Sequence, residues 1–166
     1  MKMKTAKVIV IAVFTAVFAL CLATSNGRSE GRDSKAGPEL NLKKQFQRLL
    51  AGEMNAIQNG MTNLVMAIPA GHWNDIMDTA RKMNETYIIN KKLSKEQKDE
   101  FEGSLPEGYR QMDSYFHEAA GQMIHAAEQR DLEEVSMYFH RLVKSCLQCH
   151  SHYARERFPD FGVPVQ

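Results

Sequence analysis

Apolar residues recur at spacings of three and four from about residue 39 onward, and no segment alternates apolar and polar residues as a strand does. The clearest stripe comprises Leu42, Phe46, Leu49, Leu50, Met54, Ile57, Met61, Leu64, Val65 and Ile68. Residues at this period share one face of a helix and can bury that face against other helices. The chain is therefore predicted to be all-α, with a first helix from about Glu39 to Ile68.

Three more long helices are predicted from the same periodicity. They run from about Trp73 to Lys92, from about Glu107 to Gln129, and from Asp131 to about Arg157. A short helix is also predicted from Ser94 to Phe101, because Ser94 and Gln97 have the spacing of a capping box. Four amphipathic helices with mostly short connections favour an antiparallel, up-down-up-down four-helix bundle.

The predicted helices begin and end at residues that suit those positions. Pro69-Ala70-Gly71 and Phe158-Pro159 stop the first and the fourth helix. Asp131 is a good N-cap for the fourth helix, with Glu134 three residues further on.

The N-terminus has the features of a secretory signal peptide. Lys2, Lys4 and Lys7 precede an uncharged, mostly apolar run from Val8 to Ala23. Cleavage after Ala23 is predicted, so residues 1–23 are the signal, 24–38 a polar, flexible leader and 39–166 the domain. An uncleaved membrane anchor and a lipoprotein processed at Cys21 are the alternatives, although a Leu precedes that Cys.

Five residues near the C-terminus carry the chemistry: Cys146-Leu147-Gln148-Cys149-His150. Cys-x-x-Cys-His is the attachment motif of a c-type haem. Two thiols three positions apart on a helix can each form a thioether with one vinyl group of the same haem. The next residue, His150, can then bind the iron as the proximal ligand. One covalent haem c is therefore predicted.

Other interpretations of Cys-x-x-Cys fit the chain less well. A structural zinc site needs a second pair of ligands, and no second Cys pair exists. A thioredoxin-like redox motif expects a βαβ context, which the helical pattern does not provide. After removal of the signal, Cys146 and Cys149 are the only cysteines, and haem attachment uses both.

The charge of the chain argues against one class of partner. The formal net charge is +1, and removal of the three signal lysines would bring it to −2. There is no basic stripe, so nucleic acid is not expected as a partner.

The predicted helices also place the haem. The connection near residue 130 is tight, so the last two long helices should be antiparallel neighbours with Cys146 level with Tyr115 and Phe116. The start of the first helix should lie beside the end of the fourth, which puts Leu50 and Met54 near the same level. The haem is thus expected at one end of the bundle, between the first, third and fourth long helices.

The motif lies only 16 residues from the C-terminus of a four-helix pattern. In this the chain resembles the class II cytochromes c, that is, cytochrome c prime and its low-spin relatives. The resemblance covers essentially the whole mature domain and is most specific from Phe116 onward, through Ala126-Ala127, Asp131-Leu132, the Cys146–His150 motif and Tyr153. The tail Phe158-Pro159-Asp160-Phe161 is longer than is typical of that family.

The resemblance implies that His150 is the proximal ligand and that a residue of the first helix covers the other side of the haem. That residue is apolar in cytochrome c prime and a Met ligand in the low-spin relatives. Its position here corresponds to Glu53 within two residues, and Met54 is the only thioether in that window. Met54 is therefore a candidate sixth ligand, with a core side chain as its alternative. His117 lies next to Phe116, level with the attachment site. It is a second candidate distal residue, and the alternative is a His at the edge of the bundle.

Two functions follow from this resemblance. The first is a periplasmic monohaem cytochrome that carries one electron at a time between redox proteins. The alternative is a five-coordinate haem protein that binds or senses a diatomic gas such as nitric oxide or carbon monoxide. An enzyme is not expected, because no distal His/Arg pair can be placed over the iron. Several class II relatives are dimers, so the resemblance also allows a homodimer.

Overall fold

The structure is a computed structural model, and it describes residues 40–162. The predicted signal peptide and the leader lie outside this range. The helices are α1 (Lys44–Ala70), α2 (Trp73–Asn84), α3 (Ile89–Lys92), α4 (Lys95–Gly103), α5 (Glu107–Glu128) and α6 (Leu132–Tyr153), followed by a 3-10 turn at Pro159–Gly162. No strand occurs between residues 40 and 162, so the prediction of an all-α fold is confirmed.

The first long helix begins and ends later than predicted, at Lys44 rather than near Glu39 and at Ala70 rather than near Ile68. Pro69 lies in the last turn of α1, and the helix ends one residue later, at Ala70. Gly71 follows with φ at 65°, a left-handed conformation that glycine adopts without a steric penalty. The amide N–H of His72 then donates to the carbonyl oxygen of Ala67 over 3.0 Å and closes the helix end.

The second helix is shorter than predicted, and the expected single helix from Trp73 to Lys92 is wrong. α2 ends at Asn84, and Thr86 takes a positive φ of 61°. The chain resumes as the single turn α3. The backbone N–H groups at this break donate to the carboxylate of Glu53 on α1, which lies 2.6 Å from Tyr87 N, 2.7 Å from Ile88 N and 3.2 Å from Ile89 N.

Helix caps define the starts of α4 and α6 as predicted. Gln97 N donates to Ser94 Oγ over 3.3 Å while Ser94 N donates to Gln97 Oε1 over 3.0 Å, so the capping box is present. Asp131 caps α6 by accepting from Glu134 N over 2.9 Å. The predicted end of α6 near Arg157 is wrong, because the helix stops at Tyr153 and the chain turns back.

The core consists of two clusters. The larger one is formed mainly by α1, α2, α5 and α6, with fully buried side chains such as Leu64, Met83, Met123 and Leu142. The smaller one comprises Leu42, Phe46, Phe101, Leu105 and Tyr109. Cys146 packs against the larger cluster and Cys149 against the smaller one. The end of α6 that carries the motif therefore lies between the two clusters.

Replacing Asp131 with Ala is expected to lower the free energy of unfolding by about 1 kcal/mol, the usual effect of removing an N-cap side chain. Chemical denaturation followed by circular dichroism measures the change. Asp131→Asn is the matched control and should stay close to the wild type, since Asn caps helices as well as Asp does. Equal losses in both variants would contradict a capping role.

Candidate functional site

One pocket brings together residues of α1, α5 and α6. Its lining comprises Met54, Ile57, Tyr109, Met112, Asp113, Phe116, Ser145, Cys146, Cys149 and His150. The Cys-x-x-Cys-His residues thus share a pocket with Met54, which lies 92 positions earlier in the chain. Phe116 lines it opposite the motif, at the level expected from the tight connection between α5 and α6.

The two cysteines lie one helical turn apart near the end of α6, and both are partly buried thiols. Burial raises the pKa of Cys146. Burial, with smaller contributions from the charges of Asp113 and Cys146, raises the pKa of Cys149 to about 12. A thiol with such a pKa is protonated at neutral pH, whereas reactive Cys-x-x-Cys pairs have lowered values. The pair is therefore poorly suited to thiol–disulfide exchange.

The surroundings of His150 favour the uncharged form of its imidazole. Burial, together with the nearby positive charge of Arg157, lowers its pKa from the ordinary value. A neutral imidazole is the form that binds metal ions. The ring also stacks on Phe158, with centroids 4.6 Å apart and planes 17° apart.

The structure places the two candidate distal residues differently. Met54 lines the pocket and also packs against the larger core cluster. His117 is not part of the lining. Its Nδ1 donates to the carbonyl oxygen of Met83 over 2.7 Å, and its Nε2 lies 3.6 Å from Asp113 Oδ2. The side chain of His117 is therefore held toward the end of α2.

Sequence reasoning missed three lining residues of α5: Tyr109, Met112 and Asp113. Met112 supplies a second thioether to the pocket. Burial raises the pKa of Asp113, and it is also the main cause of the raised pKa of Tyr109. All three lie within two turns of Phe116 toward the start of α5, so the helical pattern could have found them if the level estimate had been extended along the helix.

The lining combines sulfur and nitrogen atoms with apolar walls. Two thiols, an imidazole and two thioethers are present, and Ile57 and Phe116 supply apolar walls. The cavity volume is about 50 Å³, which is room for a few waters. A haem is far larger than this cavity, so the lining would have to move outward to admit it.

A second, wider groove of about 300 Å³ lies between α5 and α6. Its lining is Tyr115, Glu118, Ala119, Gln122, Arg141, Lys144, Ser145 and Gln148. Ser145 lines both pockets, so the groove adjoins the one that contains the motif. It is lined by none of the predicted site residues.

Two features are absent from residues 40–162. No three His, Cys, Asp or Glu side chains come together in a way that could hold a metal ion. No helix in this part of the chain has the length and hydropathy needed to cross a membrane.

Comparisons of the chain with protein-family models, with curated proteins and with solved structures found no match.

Proposed function

We propose that this protein is an exported, monohaem c-type cytochrome of the class II kind that carries one electron at a time. The observation that carries this proposal is the shared pocket of Met54, Cys146, Cys149 and His150. The two thiols could attach a haem covalently, and a neutral imidazole and a thioether from a different helix could bind its iron.

The proposed architecture is an antiparallel four-helix bundle of α1, α2, α5 and α6, with the haem at one end. The short connections at Gly71-His72 and Gln129–Asp131 support it, because each makes the two helices it joins reverse direction. The packing of α5 against both α2 and α6 supports it further.

The chemistry of the cysteines supports attachment of haem over the other uses of this motif. The raised pKa values of Cys146 and Cys149 argue against a thiol–disulfide pair. Their positions between the two core clusters would bury the edge of the haem that they hold. His150 follows Cys149 directly and lines the same pocket.

The residues that would hold the iron suit electron transfer. When bound, the haem iron would supply the ferric/ferrous couple. His150 and Met54 would both bind the iron and so make it low-spin, and a Met ligand would raise its potential. Ile57 and Phe116 would exclude water from the pocket. The partners would then be redox proteins of the periplasm, reached after removal of residues 1–23, and no catalytic role is proposed.

The purified protein is expected to carry covalent haem with a sharp low-spin ferrous spectrum that does not change when carbon monoxide is added. Met54→Ala should open the sixth position and give a high-spin spectrum that responds to the gas. Optical titration measures both. Met112→Ala is the matched control, since it removes the other thioether of the pocket, and it should leave the low-spin spectrum unchanged.

A wild-type spectrum that is broad, high-spin and shifted by carbon monoxide would replace electron transfer with gas binding as the function. A low-spin spectrum that survives Met54→Ala but is lost in Met112→Ala would move the sixth ligand to α5. A low-spin spectrum that survives in both variants would leave His117 as the candidate for the sixth ligand.

A further inference from the structure

The chain beyond α6 folds back onto the end of that helix. Ala154 N donates to the carbonyl oxygen of His150 over 3.1 Å. The carbonyl oxygen of Ala154 then accepts from Arg157 N and Phe158 N, over 3.1 and 3.0 Å. This turn returns the ring of Phe158 to the imidazole of His150, eight positions earlier in the chain.

The two rings are almost parallel, at 17°, with centroids 4.6 Å apart. An imidazole binds a metal through a lone pair that lies in the plane of the ring. A contact on its face therefore leaves both nitrogens accessible while it restricts rotation about χ2, a torsion with broad preferences of its own. The stack fixes the ring orientation without competing for the ligating nitrogen.

The usual device for orienting a metal-ligating His is a hydrogen bond from its second ring N–H to a carboxylate or a backbone carbonyl. Between residues 40 and 162, neither ring nitrogen of His150 has a hydrogen-bond partner. The ring contact with Phe158 can therefore take the place of that hydrogen bond and define the orientation of the imidazole.

Phe158 is itself held in place. Phe161 packs edge-on against it, with centroids 6.1 Å apart and planes at 72°. The guanidinium of Arg157 lies 5.9 Å from the centroid of the Phe158 ring, in the range of a cation–π contact. Phe161 N donates to the carbonyl oxygen of Phe158 over 3.3 Å, which closes the turn. Phe158 and Phe161 thus form a small aromatic cluster beside His150.

We propose that Phe158 is a positioning residue for the proximal ligand: it sets the rotation of the His150 ring and keeps water from its outer face. This inference rests on the proposed function. Water admitted to that face would raise the polarity around the iron, and this favours the more highly charged ferric state. By keeping water away, Phe158 raises the reduction potential.

The test compares three variants of the haem-loaded protein by potentiometry and by electron paramagnetic resonance of the ferric state. Phe158→Ala is expected to lower the midpoint potential and to broaden the distribution of g values, because the ring orientation is released. Phe158→Tyr retains the stack and should restore both signals. Phe161→Ala removes a ring of the same size that does not touch His150, and it should have a clearly smaller effect.

Unchanged potential and g values in Phe158→Ala would overturn this inference and leave the proposed function standing. Equal changes in Phe158→Ala and Phe161→Ala would also overturn it, since they would report general loosening of the tail.

If Phe158→Ala fails to retain haem, Phe158→Leu serves instead: it keeps the apolar cover and should broaden the g values with the potential near that of the wild type. Wild-type g values in Phe158→Leu would overturn the orienting role. Absence of covalent haem from the wild type would overturn the proposed function itself, and this inference with it.

Discussion

Replacing Cys146 and Cys149 together with Ser is expected to abolish covalent attachment of haem. These are the only two cysteines in residues 40–162, and a hydroxyl does not add to a vinyl group as a thiol does. The domain should also lose thermal stability, because apolar surface of the pocket that the haem would bury is no longer covered. Haem would remain at most as a dissociable ligand of His150.

Mass spectrometry of the denatured protein and extraction with acidified solvent measure this loss directly. Leu147→Ser is the matched control: it lies between the two cysteines, is 49% exposed and does not line the pocket. It should keep the covalent haem and the thermal stability of the wild type. Haem that stays with the double variant after extraction would contradict attachment through these thiols, and an unchanged melting temperature would contradict its contribution to the core.

The parts of the fold that follow from local chemistry could be predicted from the sequence. The starts of α4 and α6 depend on Ser94 and Asp131, whose side chains bond to the backbone three residues away. Phe116 lies beside the motif because only three residues connect α5 and α6, which fixes how the two helices align. Such features involve neighbours in sequence, so spacing alone is enough to find them.

Two of the wrong boundaries depend on contacts that spacing does not show. α2 ends early where Glu53, 34 to 36 positions away, accepts the N–H groups of the next segment. α6 ends early where Phe158 returns to stack on His150. The same holds for His117, which is directed to the carbonyl of Met83 rather than to the pocket. In each case the partner lies outside the helix concerned, so the spacing of residues within that helix does not show it.

Replacing Glu53 with Ala is expected to lower the free energy of unfolding by about 3 kcal/mol, because buried backbone N–H groups lose their acceptor. Glu53 is 2% exposed, and its two carboxylate oxygens accept three backbone N–H groups from residues 87–89. Hydrogen bonds to a charged acceptor contribute about 1.5–3 kcal/mol each, and buried donors left unpaired are costly. Partial hydration of the break between α2 and α3 would recover some of this loss.

The isosteric variant Glu53→Gln separates the hydrogen bonds from the volume of the side chain. One carboxylate oxygen becomes an NH₂ group that cannot accept, so at least one N–H of the break loses its partner, and a loss of about 1–2 kcal/mol is expected. Glu118→Gln, an exposed change of the same kind on α5, should stay within about 0.5 kcal/mol of the wild type. Guanidinium denaturation of the haem-loaded proteins measures the series.

Because Glu53 directly precedes Met54, the Ala variant should also show a mixture of high- and low-spin haem. A Glu53→Ala protein as stable as Glu118→Gln would mean that the segment 87–89 does not depend on this carboxylate, and that Met54 is oriented by packing alone.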